Sequence, residues 1–230
     1  MTLAGPDDLA EPLHEPDEPH ADDYPRSLRL EAARDRRRAM LGSSHMQHLA
    51  RHVDALRAKS GCDVPDFDPL DGGSDARLLF LFEKPGPMTA VARRGTRAGS
   101  GFISRNNDDP TAEATWRFMR DAGVPRRATV TWNVIPWWNG TVAVTPEELR
   151  AGVAEVKAVL ALLPAVKAVM LVGKKATRAA LLLHDAGCAV FTSDHPSPRV
   201  RAAFPDRWTA ISSSWRAAYS TVLTARPASP

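Results

Sequence analysis

RLLFLFEKPGP, residues 77–87, is the stretch whose reading decides the fold. Leu78 to Phe82 is an unbroken apolar run of strand length, the pattern of a strand covered on both faces in a parallel sheet. The run stops in a Pro-Gly-Pro turn, which leaves Glu83 and Lys84 at the strand's C-terminal end. In open α/β sheets ligands bind outside those ends.

Downstream, the same logic yields three more strands: Ala128 to Ile135, Val166 to Val172 and Cys188 to Phe191. Helical segments separate them. Asp109-Pro110-Thr111 opens a helix that runs to about Ala122 and stops at Gly123 and Pro125. Thr145-Pro146-Glu147-Glu148 has the Thr-cap, Pro-first form of a helix start. That helix extends to about Leu163, with Leu149, Val153, Val156, Leu160 and Leu163 on one stripe. Gly173-Lys174-Lys175 turns into a helix to about His184, and a last helix covers roughly Pro205 to Thr224. Strands alternating with helices predict an α/β fold, a three-layer α/β/α arrangement with a central, mostly parallel sheet of about four strands.

Upstream, Arg26 to Leu41 reads as a basic helix whose cluster of Arg34, Arg36, Arg37 and Arg38 is a solvated face or, less simply, a phosphate-contacting one. Gly42 to Met46, GSSHM, has the look of an expression-vector scar but lies in mid-chain, and is taken as native. Ser44 is the expected cap of a helix from about His45 to Lys59. Val64 to Ser74 is a turn-rich connection. Met88 to Asn107 is a long loop with Gly95, Gly99, Gly101, Arg93, Arg94, Arg97 and Arg105, and loops of that length are usually functional or mobile. Three parts follow: a disordered acidic tail over 1–25, a helical arm and linker over 26–74, and a catalytic domain over 75–225.

Of 230 residues, 43% are hydrophobic and 25% charged, ordinary values for a globular chain. No apolar run approaches membrane-spanning length, and the acidic start is unlike a signal peptide. Two cysteines, Cys62 and Cys188, make neither a disulfide framework nor a four-cysteine cluster site, so a reduced, cytoplasmic protein is expected. Residues 1–24 hold eight acidic side chains and no Lys or Arg, which leaves 30 basic against 19 acidic groups in the remainder. A body carrying +11 attracts a polyanion, nucleic acid above all. The acidic tail should weaken that attraction, and a chain shortened to start near Arg26 should bind DNA more tightly. There is no Walker loop, no G-x-G-x-x-G and no G-x-S-x-G elbow.

The motifs fall at strand ends in a telling order: E-x-P-G at Glu83 to Gly86, G-F-I-S at Gly101 to Ser104, W-N-V-I-P at Trp132 to Pro136, L-V-G-K-K-A at Leu171 to Ala176, and H-P-S-P-R at His195 to Arg199. Over about Ala76 to Tyr219 the chain resembles the uracil-DNA glycosylase superfamily. H-P-S-P is the most specific element, marking the loop that in this superfamily presses on DNA phosphates. The resemblance implies a cofactor-free, monofunctional uracil-DNA glycosylase, a monomer acting on uracil in single- or double-stranded DNA, with no membrane and no metal cluster. It implies that Phe102 stacks on the flipped base, that Asn133 reads its O4 and N3–H edge by the bidentate logic of amides, and that Asn107 and Gly86 also meet the base. His195 would hydrogen-bond uracil O2 as the base leaves. Pro196, Ser197 and Pro198 would stiffen the loop on the backbone, Arg199 would fill the vacated stack, and Lys84 and Lys174 would contact DNA.

The chain also departs from the pattern. Lys84 stands where several branches carry the Asp or Asn that positions the attacking water, and Phe82 replaces the first glycine of G-E-A-P-G. The catalytic acid is then Asp108 or Glu83. Lys84 would stay protonated, contacting a DNA phosphate or Glu83. A second implication is open: a DNA-damage binding protein of the same fold with weak or no glycosylase activity, Lys84 being its sign.

Overall fold

A computed structural model describes residues 20–86, 89 and 99–224. Its strands are β1 (Asp66–Phe67), β2 (Leu78–Phe82), β3 (Phe102–Ile103), β4 (Thr129–Asn133), β5 (Ala168–Val172) and β6 (Ala189–Ser193). Its helices are α1 (Glu31–Met40), α2 (Gln47–Ser60), α3 (Pro110–Asp121), α4 (Pro146–Ala161), α5 (Pro198–Ala203), α6 (Pro205–Thr209) and α7 (Ile211–Thr224). Four strands form one sheet in the order β4-β2-β5-β6, and every neighbouring pair is parallel. β1 and β3 pair as a separate parallel ribbon.

The apolar run of β2 is continuous because both of its faces are covered. Leu79 and Leu81 join Leu49, Val53 and Leu56 of α2 and Val153, Val156 and Val159 of α4 in one core. Leu78 and Phe80, pointing the other way, pack with Met119 of α3 and with Ile211, Trp215 and Val222 of α7. Three layers result, as the alternation of strands and helices predicts. Phe82 lies opposite Asn133, Leu81 opposite Leu171, and Val172 opposite Ser193. That register brings the ends of all four strands to one rim, where the motifs begin.

Local capping works as the sequence implies at two helices. Asp109 accepts from Thr111 N and Ala112 N, and Thr145 accepts from Glu148 N, each ahead of a proline in the first turn. Elsewhere the structure differs. α2 starts at Gln47 with no side-chain cap, so Ser44 does not cap it; Met46 holds the start instead, fully buried in the core beneath the sheet. GSSHM is thus part of the fold. The segment after Gly173 is a 3-10 helix, Ala176–Leu182, and the C-terminal stretch breaks at Ala210 into α6 and α7. Across that break Trp208 packs on Phe118, 4.8 Å between rings, while Trp215 packs on Phe80 at 5.0 Å.

The basic face expected on α1 is mostly neutralised. Arg37 is completely buried and bonded to Asp68, Arg36 pairs with Asp22, Arg38 with Asp35, and Arg34 donates to the carbonyls of Leu28 and Arg29. Nor are residues 20–25 a disordered end: Asp22 and Asp23 are anchored to arginines of the body, because buried guanidinium groups need carboxylates. Residues 1–19, and Arg93, Arg94 and Arg97 of the long loop, lie outside the described residues.

Candidate active site

A cleft of about 920 Å³ opens at the C-terminal rim of the sheet. Of the residues singled out from the sequence, Glu83, Lys84, Gly86, Asn107, Asn133, Lys174, His195, Ser197 and Arg199 line it. Phe102, Asp108, Pro196 and Pro198 do not.

Asn133 is the last residue of β4 and only 3% exposed. Its Oδ1 faces no hydrogen-bond donor. Asn107 donates its Nδ2 to Phe102 O at 2.9 Å, and its Oδ1 is likewise buried without a partner. A buried amide oxygen left unmade costs about 1–3 kcal/mol. Two such oxygens, those of Asn133 and Asn107, belong to residues that line one cleft.

His195 sits between the edge of the Phe82 ring, 5.6 Å away and nearly perpendicular, and Gly173. At Gly173 φ is +92°, and a Cβ there would come within 2.9 Å of His195 Cβ, so only glycine lets the imidazole seat. Burial, then the charge of Lys175, hold the His195 pKa below its usual value, which keeps the ring neutral near pH 7. Glu83 carries its carboxylate in the cleft, bonded by Lys175 Nζ at 3.0 Å.

Three expectations need correction. Phe102 does not face the cleft: its β3 position turns the ring into a small core with Leu28 and Ala33, 1% exposed. The aromatic that borders His195 is Phe82, the last residue of the apolar run. Asp108 pairs with Arg26 at 3.3 Å and is not among the residues that line the cleft, so of the two candidate acids Glu83 is the one that lines it. Lys84 borders the cleft, but its amine pairs with Glu148 and not with Glu83. Its Nζ, on a side chain 4% exposed, donates to Glu148 Oε1 and Asn139 Oδ1, both at 2.7 Å. The same Glu148 oxygen accepts from Trp137 Nε1 and Asn139 Nδ2. Lys84 thereby braces the exit of β2 against the loop after β4.

The sequence reading missed Lys175, although it stands beside Lys174 in the same motif, and Phe204, an exposed ring at the cleft wall with Arg207 stacked over it at 4.8 Å. It also missed α5, for which Ser197 is the cap and Pro198 the first residue. Among the described residues no group of three or more His, Cys, Asp or Glu side chains could hold a metal, and no helix is long and apolar enough to cross a membrane.

A second cluster lies behind the cleft. Arg126 donates to Asp23, Asp68, Asp71 and Asn106 at 2.6–2.9 Å. Arg37 reaches Asp68, and Arg105 reaches Asp23. Burial, together with the neighbouring Asp68, pushes Asp71 up to about 6 against the pull of Arg126.

The sequence model of the Uracil DNA glycosylase superfamily matches residues 70–218, well over half the chain and the whole of the cleft-bearing sheet. The chain belongs to the uracil-DNA glycosylase superfamily. A search of curated proteins finds no match. As a member of this superfamily it is a glycosylase-type DNA-repair protein, with DNA as its substrate. Within the superfamily match lie β2, β4, β5 and β6, and with them Glu83, Asn133 and His195; α1, α2 and residues 20–30 fall outside it.

Proposed function

We propose that this superfamily member excises uracil from DNA by hydrolysis of the N-glycosidic bond. The observation that carries the reading is the unpaired, buried Oδ1 of Asn133 at the head of a cleft that also holds His195 and Glu83. Uracil's N3–H supplies the donor this oxygen lacks, and thymine is distinguished only by its methyl group. Extruding the nucleotide brings the base into the cleft.

In the reaction the C1′–N1 bond breaks and its electron pair leaves with the base. Neutral His195 donates a hydrogen bond to O2, where the negative charge collects, and a donor aimed at charge that appears only in the transition state speeds the chemical step. Water adds to C1′ and gives its proton to the Glu83 carboxylate, which Lys175 holds in the cleft. Arg199 and Lys174, both exposed on the cleft wall, are positioned for DNA phosphates or the vacated stack. The protein acts as a monofunctional hydrolase because the Lys84 amine is engaged by Glu148.

Incubation with a labelled uracil-containing oligonucleotide followed by alkaline cleavage tests the reading. Strand breaks only after alkali are expected, with His195→Ala slowing single-turnover excision about 100- to 1000-fold. Tight binding to the same oligonucleotide without any breaks would favour the binding-protein reading and overturn this one.

A further inference from the structure

The loop from Phe102 to Asp108 has two faces. Ile103, Ser104, Arg105 and Asn107 line the cleft, whereas Phe102, Asn106 and Asp108 turn away from it. What they meet is the segment 20–28, which runs across the back of the loop. Leu28 packs on Phe102 and donates its N–H to Asn106 O at 3.1 Å. Arg26 holds Asp108, and Asn106 Nδ2 donates to Tyr24 O at 2.9 Å.

Asp23 is the centre of this strap. Its side chain is 12% exposed, and its Oδ1 accepts from Arg126 Nη1 at 2.6 Å, Trp116 Nε1 at 3.0 Å and Asn106 Nδ2 at 3.2 Å. Its Oδ2 accepts from Arg105 Nη2 at 2.9 Å, and Arg105 is itself a cleft residue. One carboxylate therefore joins two residues of the loop to α3 and to the segment before β4. Burial opposes the charge, but Arg126 and Arg105 outweigh it and hold the carboxyl well below its usual range.

We propose that Asp23, which lies outside the superfamily match, is a positioning residue that sets the placement of Asn107 and Arg105 in the base-binding cleft. The proposal rests on the glycosylase reading for its catalytic consequence and on the hydrogen-bond geometry alone for its structural one. A buried charge cluster that loses one partner leaves its arginines uncompensated, and local opening then follows where the lost bonds were. Because the strap does not line the cleft, DNA affinity should change little while the chemical step suffers.

The test compares the full chain with Asp23→Ala, Asp23→Asn and Val222→Ala, the last a core truncation on α7 far from the loop. Hydrogen exchange of the amides of residues 104–107 should quicken about tenfold in Asp23→Ala and not in Val222→Ala. Single-turnover excision should slow at least about tenfold in Asp23→Ala, with the Kd for an uncleaved duplex within about twofold of the parent. Asp23→Asn keeps an acceptor oxygen for Arg126, Trp116 and Asn106, and should recover part of both losses. Where Asp23→Ala does not fold, the same comparison is made on Asp23→Asn. Loop exchange at the parental rate in the folded variant overturns the proposal, whatever the activity. A parent that excises nothing overturns the glycosylase reading instead, and the exchange result then decides the positioning role by itself.

Discussion

Asn133 gives the clearest residue-scale consequence, because its buried oxygen is unpaired in the free protein. Removing an unsatisfied acceptor spares the fold a desolvation cost of about 1–3 kcal/mol, which offsets much of the lost packing. Asn133→Ala should therefore abolish most excision while leaving the Tm unchanged or raised, as calorimetry would show; a marked fall in Tm would mean that the amide is a structural one. His195 makes a second prediction. Burial and the Lys175 cation both disfavour imidazolium, so an NMR titration of the ring should give a midpoint below about 6.5, the ordinary value. Removing the cation in Lys175→Ala takes away one of the two depressing influences, and the midpoint should move up. No movement would assign the depression to burial alone. Both side chains were legible in the sequence, since an amide and an imidazole at strand ends carry their chemistry in their identity. Phe102 was not: a two-residue strand has too little periodicity to say which way a ring points, and Leu28, which receives it, lies far away in sequence.

At the scale of elements, the brace from Lys84 to Glu148 joins β2 to the first turn of α4 across the loop that follows Asn133. The pair is nearly enclosed, the two side chains 4% and 11% exposed. Breaking a buried pair by removing one member costs about 3–5 kcal/mol, since the other charge stays behind. Lys84→Met should accordingly lower stability by about that much in urea unfolding, and Lys84→Met with Glu148→Gln should recover a good part of it. Equal instability of the single and double variants would show that the lysine stem matters and its charge does not. Borohydride should trap no DNA adduct during turnover by the parent. The sheet order itself was out of reach of periodicity, which reports which residues are covered but not by what. Yet the strand-helix alternation and the continuous run of β2 were enough for a parallel sheet, because only a doubly covered strand can be apolar at every position.

For the molecule as a whole, charge counted along the sequence misleads. The surplus of arginine suggests a surface made for DNA, and the acidic start suggests a counterweight to it. In the fold, Arg37, Arg105 and Arg126 are interior groups, and Asp22 and Asp23 are their partners. A chain shortened to begin at Arg26 loses both carboxylates. It should melt lower and excise more slowly than the full chain, rather than bind DNA more tightly. Tighter DNA binding with an unchanged Tm after removal of residues 1–25 would restore the tail to the role its composition suggests. Sequence gives the charges; only the fold decides which of them water can see.

The sheet order has one more consequence, for the nascent chain. β2 is the first long strand to be made, yet it occupies an interior place, flanked by β4 and β5. Until synthesis has passed Asn133 both edges of Leu-Leu-Phe-Leu-Phe are unpaired, one edge stays open until Val172 is made, and the covering layer from α7 comes later still. Unpaired strand edges on growing polypeptides are prone to aggregate. The most apolar pentapeptide in the sheet is thus the one that waits longest for its neighbours, and a holdase that reads short hydrophobic segments on the ribosome would find its target there.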